Sequence, residues 1–249
     1  MSSVEIFPVS GVPEVKTGSD IANLILAAWK SSGFKPRDGD VVVVKQKIVS
    51  KAEGRLRALG SVVPGRRARS VARAQGKDPR LVELILAEST RVVRAGHGVI
   101  ITETRHGFIC ANSGVDQSNV EEGFVALLPL DPDQSAARIR ARLVASTGRK
   151  MAVVITDTFG RPWRKGQTDV AIGCSGISPL LSYSGKKDRS GYELRVTEPA
   201  VVDEIAGAAE LAVGKLRRIP VAVVRGVRYA RGEGGVRSLL MERRRDLFR

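Results

Sequence analysis

The chain has 249 residues, of which 43% are hydrophobic, so one large domain or two small lobes could bury a sizeable core. Aromatic residues make up only 4%, which leaves few side chains for a base-stacking surface. The net charge of +15 indicates anionic ligands, but the basic residues are scattered, and no zinc-finger or RNP pattern accompanies them. The N-terminus lacks a signal-peptide pattern and no apolar run is long enough to cross a bilayer, so we expect a cytoplasmic protein that binds no membrane.

Six short apolar runs rich in Val and Ile are predicted as buried strands. In chain order they cover residues 41–44, 99–101, 108–111, 125–128, 152–155 and 221–224. Helices are predicted from Ile21, with Ser19 or Asp20 as the cap, and from Asp78, with Pro79 at the first helical position. Further helices are predicted over residues 66–73, 135–145, 199–216 and 236–247. Cys110 and Cys174 lie among apolar or small residues and are predicted to be reduced.

These elements do not alternate regularly, because residues 99–101 and 108–111 form a predicted hairpin. We therefore predict an α+β fold with mixed or antiparallel sheets and packed helices, in one body or two lobes. No internal repeat or low-complexity linker divides the sequence, and we expect a single domain over residues 1–249.

Two polar, glycine-containing segments follow predicted strands and contain candidate metal ligands. Asp116 lies in CANSGVDQSN, and Asp157 lies in VVITDTFGRPWRKGQTD, where Gly160 is predicted to turn the chain. Carboxylate and hydroxyl oxygens at strand ends suit a hard cation, so Asp116 and Asp157 could meet at one Mg²⁺ or Mn²⁺ ion beside a phosphate. The alternative for each residue is a carboxylate that only accepts hydrogen bonds from turn amides.

Basic side chains lie near both segments. Arg161, Arg164 and Lys165 follow Asp157 and are expected within one turn of it, as in a phosphoryl site or a surface salt-bridge loop. Three lysines in KQKIVSKAEG follow the VVVV run and could receive phosphate oxygens, namely Lys45, Lys47 and Lys51. Neither GxxxxGK[ST] nor a strand-linked GxGxxG is present, and no zinc or Ser-His-Asp set can be assembled, which disfavours P-loop, Rossmann and hydrolase enzymes.

Six segments in order along the chain resemble the coenzyme F-420-0:L-glutamate ligase (F-420:γ-glutamyl ligase) family. They are FPVSGVPEV at 7–15, GDVVVVKQKIVSKAEGR at 39–55, ICANSGVDQSNV at 109–120, LLPLDPDQSAARIR at 127–140, ITDTFGRPWRKGQTDVAIG at 155–173 and VAVVRG at 221–226. The resemblance implies a family-specific fold, a homodimer, and a GTP-dependent ligase that joins L-glutamate to coenzyme F-420-0 through an acyl phosphate. It also implies Mg²⁺ or Mn²⁺, with K⁺ as a further candidate ion.

The resemblance assigns roles to residues of the matching motifs. Asp116 and Asp157 are expected to bind the first metal and Thr158 a second, with Asp116, Asp157 and Lys51 as the catalytic set. GTP is expected to contact Val12, Pro13, Glu14, Val15, Gln46, Lys47, Lys51, Asn119, Val213, Gly214, Lys215 and Leu216.

Two departures from the family pattern qualify these expectations. Some archaeal members resemble this chain but have a glutamate metal ligand where Lys215 follows Gly214, so the second metal site is in doubt. Actinobacterial relatives continue into a nitroreductase-like domain, which we do not expect in this chain. The remaining hypotheses are another metal-dependent nucleotide enzyme, either a kinase or a carboxylate-amine ligase, and a basic nucleic-acid-binding protein.

Overall fold

Residues 3–247 are described by a computed structural model, in which helices and strands form an α+β fold as predicted. The strands are β1 (Glu5–Pro8), β2 (Val41–Lys45), β3 (Leu56–Ala58), β4 (Ser89–Gly96), β5 (Val99–Thr104), β6 (Ile109–Ala111), β7 (Phe124–Ala126), β8 (Ala152–Arg161), β9 (Arg164–Ser175) and β10 (Val221–Arg225). The helices are α1 (Ile21–Ser32), α2 (Gln46–Ala52), α3 (Arg66–Gln75), α4 (Pro79–Ala87), α5 (Pro132–Thr147) and α6 (Val201–Val213). Short 3-10 helices cover Leu59–Ser61, Asn112–Gly114 and Val236–Leu239.

The largest sheet has the strand order β1-β10-β2-β8-β9. Its central pair, β2 and β8, is parallel, and every other neighbouring pair is antiparallel. All of Val41–Val44 are buried, and because alternate residues point to opposite faces, both faces of the sheet are covered. Helices α5 and α6 pack on this sheet, and α1 packs on α5.

The described chain has two separate hydrophobic cores. The larger core joins the five-stranded sheet to α1, α5 and α6. The smaller core joins α3 and α4 to the three-stranded sheet β4-β5-β6 and to the β3–β7 pair. Consecutive residues belong to different cores where the chain passes between them, since Leu127 packs in the smaller core and Leu128 in the larger one.

Local signals account for most element boundaries. Asp20 is the N-cap of α1 and its side chain accepts a hydrogen bond from the amide of Asn23, while Asp78 caps α4 ahead of Pro79. All six predicted strands and the 99–111 hairpin are present. Both cysteines are buried free thiols, as predicted.

Two structural predictions were wrong. The helix expected over residues 236–247 is a 3-10 turn at Val236–Leu239, and it stops because Leu240 is extended and Arg243, Arg244 and Arg245 follow with no apolar stripe. The chain also does not turn at Gly160, because β8 runs on to Arg161 and pairs with β9. Asp157 therefore lies within a strand.

None of the helices within residues 3–247 is both long and apolar enough to span a membrane.

Candidate functional site

Asp116 follows the 3-10 turn at Asn112–Gly114 and is held by a bridge to Ala126. Its Oδ1 accepts a hydrogen bond from the amide of Ser118 at 2.7 Å, and its Oδ2 forms an ion pair with Lys47 at 2.6 Å. Burial alone would raise the pKa of Asp116, but the hydrogen bonds and charge of Lys47 and the bonds from Ser118 outweigh it and hold this pKa below its ordinary value. Asp116 is therefore a carboxylate at neutral pH, and it already contacts a cation.

Asp157 has the opposite electrostatic character. Burial raises its pKa to about 6, and repulsion from Asp116 and Asp169 adds to this effect, although the amide of Thr158 opposes it. Asp157 therefore experiences the negative charge of two other carboxylates, which the positive charge of Lys47 partly offsets. A cation at this position would relieve the repulsion, so the site fits a positively charged ligand.

Asp169, which the sequence analysis did not single out, is a buried residue of β9. Its side chain lies on the face of the sheet that Thr156 and Thr158 share, whereas Asp157 points to the other face. Asp169 accepts hydrogen bonds from the hydroxyl groups of Thr156 and Thr158, the latter at 2.7 Å, and forms an ion pair with Lys45. The only sequence signal for Asp169 is an acidic residue inside a run that becomes apolar, QTDVAIG, and such a residue is commonly a buried ion-pair partner.

Lys45, at the end of β2, forms ion pairs with both Asp169 and Glu210 of α6. It is therefore committed to two carboxylates and is not available as a free phosphate-binding cation. The two other lysines of this segment lie on α2, where Lys47 contacts Asp116 and Lys51 forms an ion pair with Glu14. The structure thus gives each lysine of the segment an acidic partner.

Lys215 lies directly after the C-cap of α6, and its ammonium group donates a hydrogen bond to the hydroxyl oxygen of Thr158. Thr158 in turn donates to Asp169, so the side chains form a chain of contacts from Lys215 to Lys45. The hydroxyl that the family resemblance assigns to a second metal ion is therefore already in contact with a positive charge.

The remaining predicted nucleotide contacts are distributed unevenly. Gln46 is buried and accepts a hydrogen bond from Ser50, while Val15 and Val213 are buried in the larger core. Pro13, Asn119 and Leu216 belong to the same set and are exposed, and no side-chain hydrogen bond or ion pair holds them within the described residues. Asn119 has a positive φ of 52°. Val12 and Gly214 are partly buried.

Arg161, Arg164 and Lys165 do not lie within one turn of Asp157, contrary to the sequence-based expectation. Arg161 pairs with Arg164 at the end of the β8–β9 hairpin and donates a hydrogen bond to the carbonyl oxygen of Lys165 at 2.7 Å. Four strand residues separate Arg161 from Asp157, a distance of roughly 13 Å along the strand. All three basic residues are exposed.

Within residues 3–247, no group of three or more His, Cys, Asp and Glu side chains has an arrangement that could hold a metal by itself. An ion at Asp116 and Asp157 would have at most two carboxylate ligands and would need the rest of its oxygens from elsewhere. Mg²⁺ is commonly bound in this way, by one or two carboxylates together with water and substrate phosphates. The oxygen-only donor set therefore fits Mg²⁺ or Mn²⁺ beside a bound nucleotide.

The sequence of the chain was compared with known families and curated proteins. A model of the family described as F420-0:Gamma-glutamyl ligase matches residues 11–226. The chain belongs to this family. The matched range contains Asp116, Asp157 and Asp169 together with all four lysines of the site, and it ends just after β10.

Several similar curated proteins carry the name coenzyme F420:L-glutamate ligase. The protein of Methanothermobacter thermautotrophicus is 45% identical over 249 residues, 99% of both chains. That of Archaeoglobus fulgidus is 42% identical over 247 residues, covering 99% of this chain and 96% of the relative. That of Methanocaldococcus jannaschii is 43% identical over 213 residues, 85% of each chain. The family resemblance of the six sequence segments is thus confirmed.

Proposed function

We propose that the protein is a GTP-dependent ligase that forms an amide bond between L-glutamate and the deazaflavin coenzyme F420-0. The observation that supports this proposal most directly is the half-buried carboxylate of Asp157, whose pKa is raised by burial and by the charges of Asp116 and Asp169, in a chain of the γ-glutamyl ligase family. The relatives named above act on coenzyme F420 and L-glutamate by name. Their near full-length match supports the same substrates here.

Amide formation from a carboxylate and an amine requires a leaving group on the carboxyl carbon. In the proposed reaction a carboxylate oxygen of F420-0 attacks the γ-phosphorus of GTP, and the bond from this phosphorus to the bridging oxygen breaks to release GDP. The amino group of L-glutamate then attacks the acyl phosphate carbon, loses a proton, and displaces inorganic phosphate. Further glutamates would join through γ-linkages by the same sequence.

The residues of the site have distinct proposed roles in the first step. Asp116 and Asp157 would hold Mg²⁺ or Mn²⁺, which neutralises charge on the transferring phosphoryl group when bound. Lys47 and Lys51 are compact cations on the same helix and would contact phosphate oxygens once they leave their acidic partners. Gln46 and the 12–15 segment would lie against the nucleotide, with Asn119 and the 213–216 segment on other sides.

The position of Lys215 supports a site with one divalent ion. Its ammonium group contacts Thr158, where a second ion would need an acidic ligand. We infer that this side chain supplies the second positive charge and that a glutamate at this position would instead favour a second metal ion. A bound K⁺, the homodimer and the cytoplasmic location remain expectations from the family.

The experiment is an incubation of the purified protein with GTP, Mn²⁺, L-glutamate and F420-0, followed by mass spectrometry. We expect a product heavier by one or more glutamyl units, with one GDP and one phosphate released for each unit added. Parallel samples omit GTP, replace it with ATP, omit L-glutamate or add excess chelator. Product formation in chelator, or without a nucleotide, would contradict the proposal. A phosphorylated product that accumulates over many turnovers without L-glutamate, and that hydroxylamine does not cleave as it would an acyl phosphate, would indicate a kinase instead.

A further inference from the structure

A cavity of about 380 Å³ lies outside the carboxylate and lysine cluster. It is enclosed by the turn between β5 and β6, the beginning of α5, the strand β9 and the 3-10 turn at Val236–Leu239. The side chains important to its chemistry are Arg105, His106, Phe108, Asp133, Ile172 and Arg237. Its volume is within the range of small-molecule sites, and its walls combine apolar side chains with a few charged ones.

The cavity is lined by two basic and two acidic side chains, and the two pairs differ in the partners that they already have. Arg105 and Arg237 are both exposed at its rim, and neither forms an ion pair with a carboxylate within residues 3–247. Nε of Arg105 donates a hydrogen bond to the carbonyl oxygen of Ala87 at 3.0 Å, which leaves its terminal N–H groups for a further partner. The acidic side chains at the cavity are occupied by backbone amides. Asp133 accepts hydrogen bonds from the amides of Cys174 and Val236, and Asp131 accepts one from the amide of Gln134 at the start of α5. Two guanidinium groups are thus left for an anionic ligand.

His106 adds a second unsatisfied feature. Its Nε2 lies 2.8 Å from the carbonyl oxygen of Pro129 and 3.2 Å from that of Leu130, so Nε2 carries the proton and donates. The other ring nitrogen, Nδ1, is buried and has no hydrogen-bond partner among the described residues. In this tautomer Nδ1 is an acceptor, so an N–H or O–H group of a ligand or a water, and not a carboxylate oxygen, would satisfy it.

The cavity is connected to the carboxylate cluster through two aromatic rings. Phe108 stacks on His106 with ring centroids 5.6 Å apart and meets Phe159 edge to face at 6.1 Å. Phe159 is two residues after Asp157 on β8, and residues two apart along a strand point to the same face. Phe108, which lines the cavity, therefore contacts the face of the sheet that carries Asp157.

We propose that this cavity binds the carboxylate of an acidic substrate and orients that substrate toward the phosphoryl group. The proposal rests on the proposed ligase function and specifies where one of its two acidic substrates binds. Arg105 and Arg237 hold the carboxylate at the rim, while Phe108 and Ile172 contact the apolar part of the molecule. L-glutamate and F420-0 share the required chemistry, and the experiment separates them.

The test measures the KM of each substrate for Arg105→Gln, Arg237→Gln and the double variant. Arg237 makes no side-chain hydrogen bond within the described part of the chain, so its replacement leaves the fold intact. Arg67→Gln on α3 removes the same charge from an exposed helix far from the cavity in the fold and is the control. We expect the double variant to raise one KM about tenfold, equivalent to about 1.4 kcal/mol, with the KM for GTP unchanged.

A rise in the KM for L-glutamate alone assigns the cavity to the acceptor, and a rise in the KM for F420-0 alone assigns it to the donor. Values within about twofold of wild type for both substrates would overturn the proposal. If the wild-type protein forms no product with any substrate set, the proposed function fails separately. The cavity is then tested by calorimetric titration with L-glutamate and with F420-0. Heat that disappears in the double variant supports the site, and equal heats or no heat contradict it.

Discussion

The Nζ atom of Lys47 lies 2.6 Å from Oδ2 of Asp116, which joins an expected phosphate ligand to an expected metal ligand. When a divalent ion and a triphosphate bind, both members of this pair must exchange partners. The carboxylate then faces the metal, and the ammonium faces phosphate oxygen. Asp116 would therefore have a cationic partner both before and after these ligands bind.

Replacing Lys47 should separate its effect on metal binding at Asp116 from its effect on nucleotide binding. In Lys47→Gln no ammonium group competes with the metal for the carboxylate of Asp116. We therefore expect Mn²⁺ to bind this variant several times more tightly than wild type when no nucleotide is present. The KM for GTP should rise about tenfold or more because one phosphate contact is lost. Calorimetry with Mn²⁺ and steady-state kinetics with GTP measure the two quantities. Weaker Mn²⁺ binding would show that Lys47 only supports the position of Asp116.

Asp157→Asn should reduce turnover by at least about a hundredfold while leaving the protein folded, because the amide cannot neutralise a metal ion. Glu198→Gln, an exposed residue of the loop before α6, is the matched control. A variant with most of its activity would identify Asp157 as a residue that only accepts a hydrogen bond from the turn or strand.

The same variant should be more stable than wild type in excess chelator at pH 7.5. The folded-state pKa of Asp157, about 6, is above its ordinary value of 3.8. Between these two pH values the folded state binds more protons than the unfolded state. The wild-type protein therefore loses stability as the pH rises from 3.8 to about 6. We expect a gain of about 1–2 kcal/mol in the free energy of unfolding, less than the full pKa difference because the carboxylate is partly solvated. Denaturant titrations should show the gain disappearing near pH 4.

Lys51→Ala should raise the KM for GTP and lower kcat, each about tenfold. The ammonium group of Lys51 is proposed to stabilise the negative charge on the β- and γ-phosphates as the phosphoryl group transfers. Glu14, its partner in the free protein, lies in the 12–15 segment that is expected to contact GTP. The control is Lys16→Ala, which replaces an exposed lysine two residues after Glu14 in the sequence. Wild-type values of both parameters in Lys51→Ala would remove this residue from the site and leave it a structural ion-pair partner.

Lys215→Glu should change the dependence on divalent ions. We expect wild-type activity to saturate in a single phase as the Mn²⁺ concentration rises, once the Mn²⁺ bound by free GTP is accounted for. The variant places a carboxylate beside Thr158 and should require a second ion, which gives a steeper dependence and a higher Mn²⁺ requirement. Lys215→Met removes the charge without adding a ligand and should be slow at all concentrations. Identical curves for the three proteins would contradict the proposed one-metal site.

Asp40 and Arg225 provide a stability prediction away from the site. Asp40 is buried, and Arg225 contacts both of its oxygens, at 2.7 and 2.8 Å, while stacking over Phe7 and Phe34. Asp40→Ala leaves this guanidinium unpaired and should lower the free energy of unfolding by about 3 kcal/mol. Arg142→Ala breaks a 3.8 Å surface pair with Asp20 and should change it by less than about 1 kcal/mol. Similar melting temperatures for both variants would contradict this difference.

The sequence predicted the buried strands well because runs such as Val41–Val44 and Ala152–Ile155 are apolar on both faces and short. The prediction failed where the apolar run of residues ends but the strand continues. Strand β8 extends beyond Asp157 because β9 supplies backbone hydrogen bonds, and no periodic burial marks that part of the sequence.

The site was predicted in part for a related reason. Asp116 and Asp157 follow short apolar runs in the sequence, and a sequence pattern of this kind indicates such carboxylates directly. The partners of Lys45, which are Asp169 and Glu210, lie more than one hundred residues away along the chain and meet it only through the sheet order and the position of α6. Long-range ion pairs leave no spacing pattern in a single sequence.

Asp116 is tied to Ala126, one residue before Leu127 of the smaller core, whereas Asp157 lies on the central sheet of the larger core. The distance between these two carboxylates therefore depends on how the two cores meet, and no single core can assemble the site. A small displacement of one core against the other would separate the two proposed metal ligands without breaking a strand or exposing a core. Catalysis should consequently be lost in denaturant before the circular dichroism of the sheets changes, and the enzyme's own turnover becomes the most sensitive measure of how its halves are aligned.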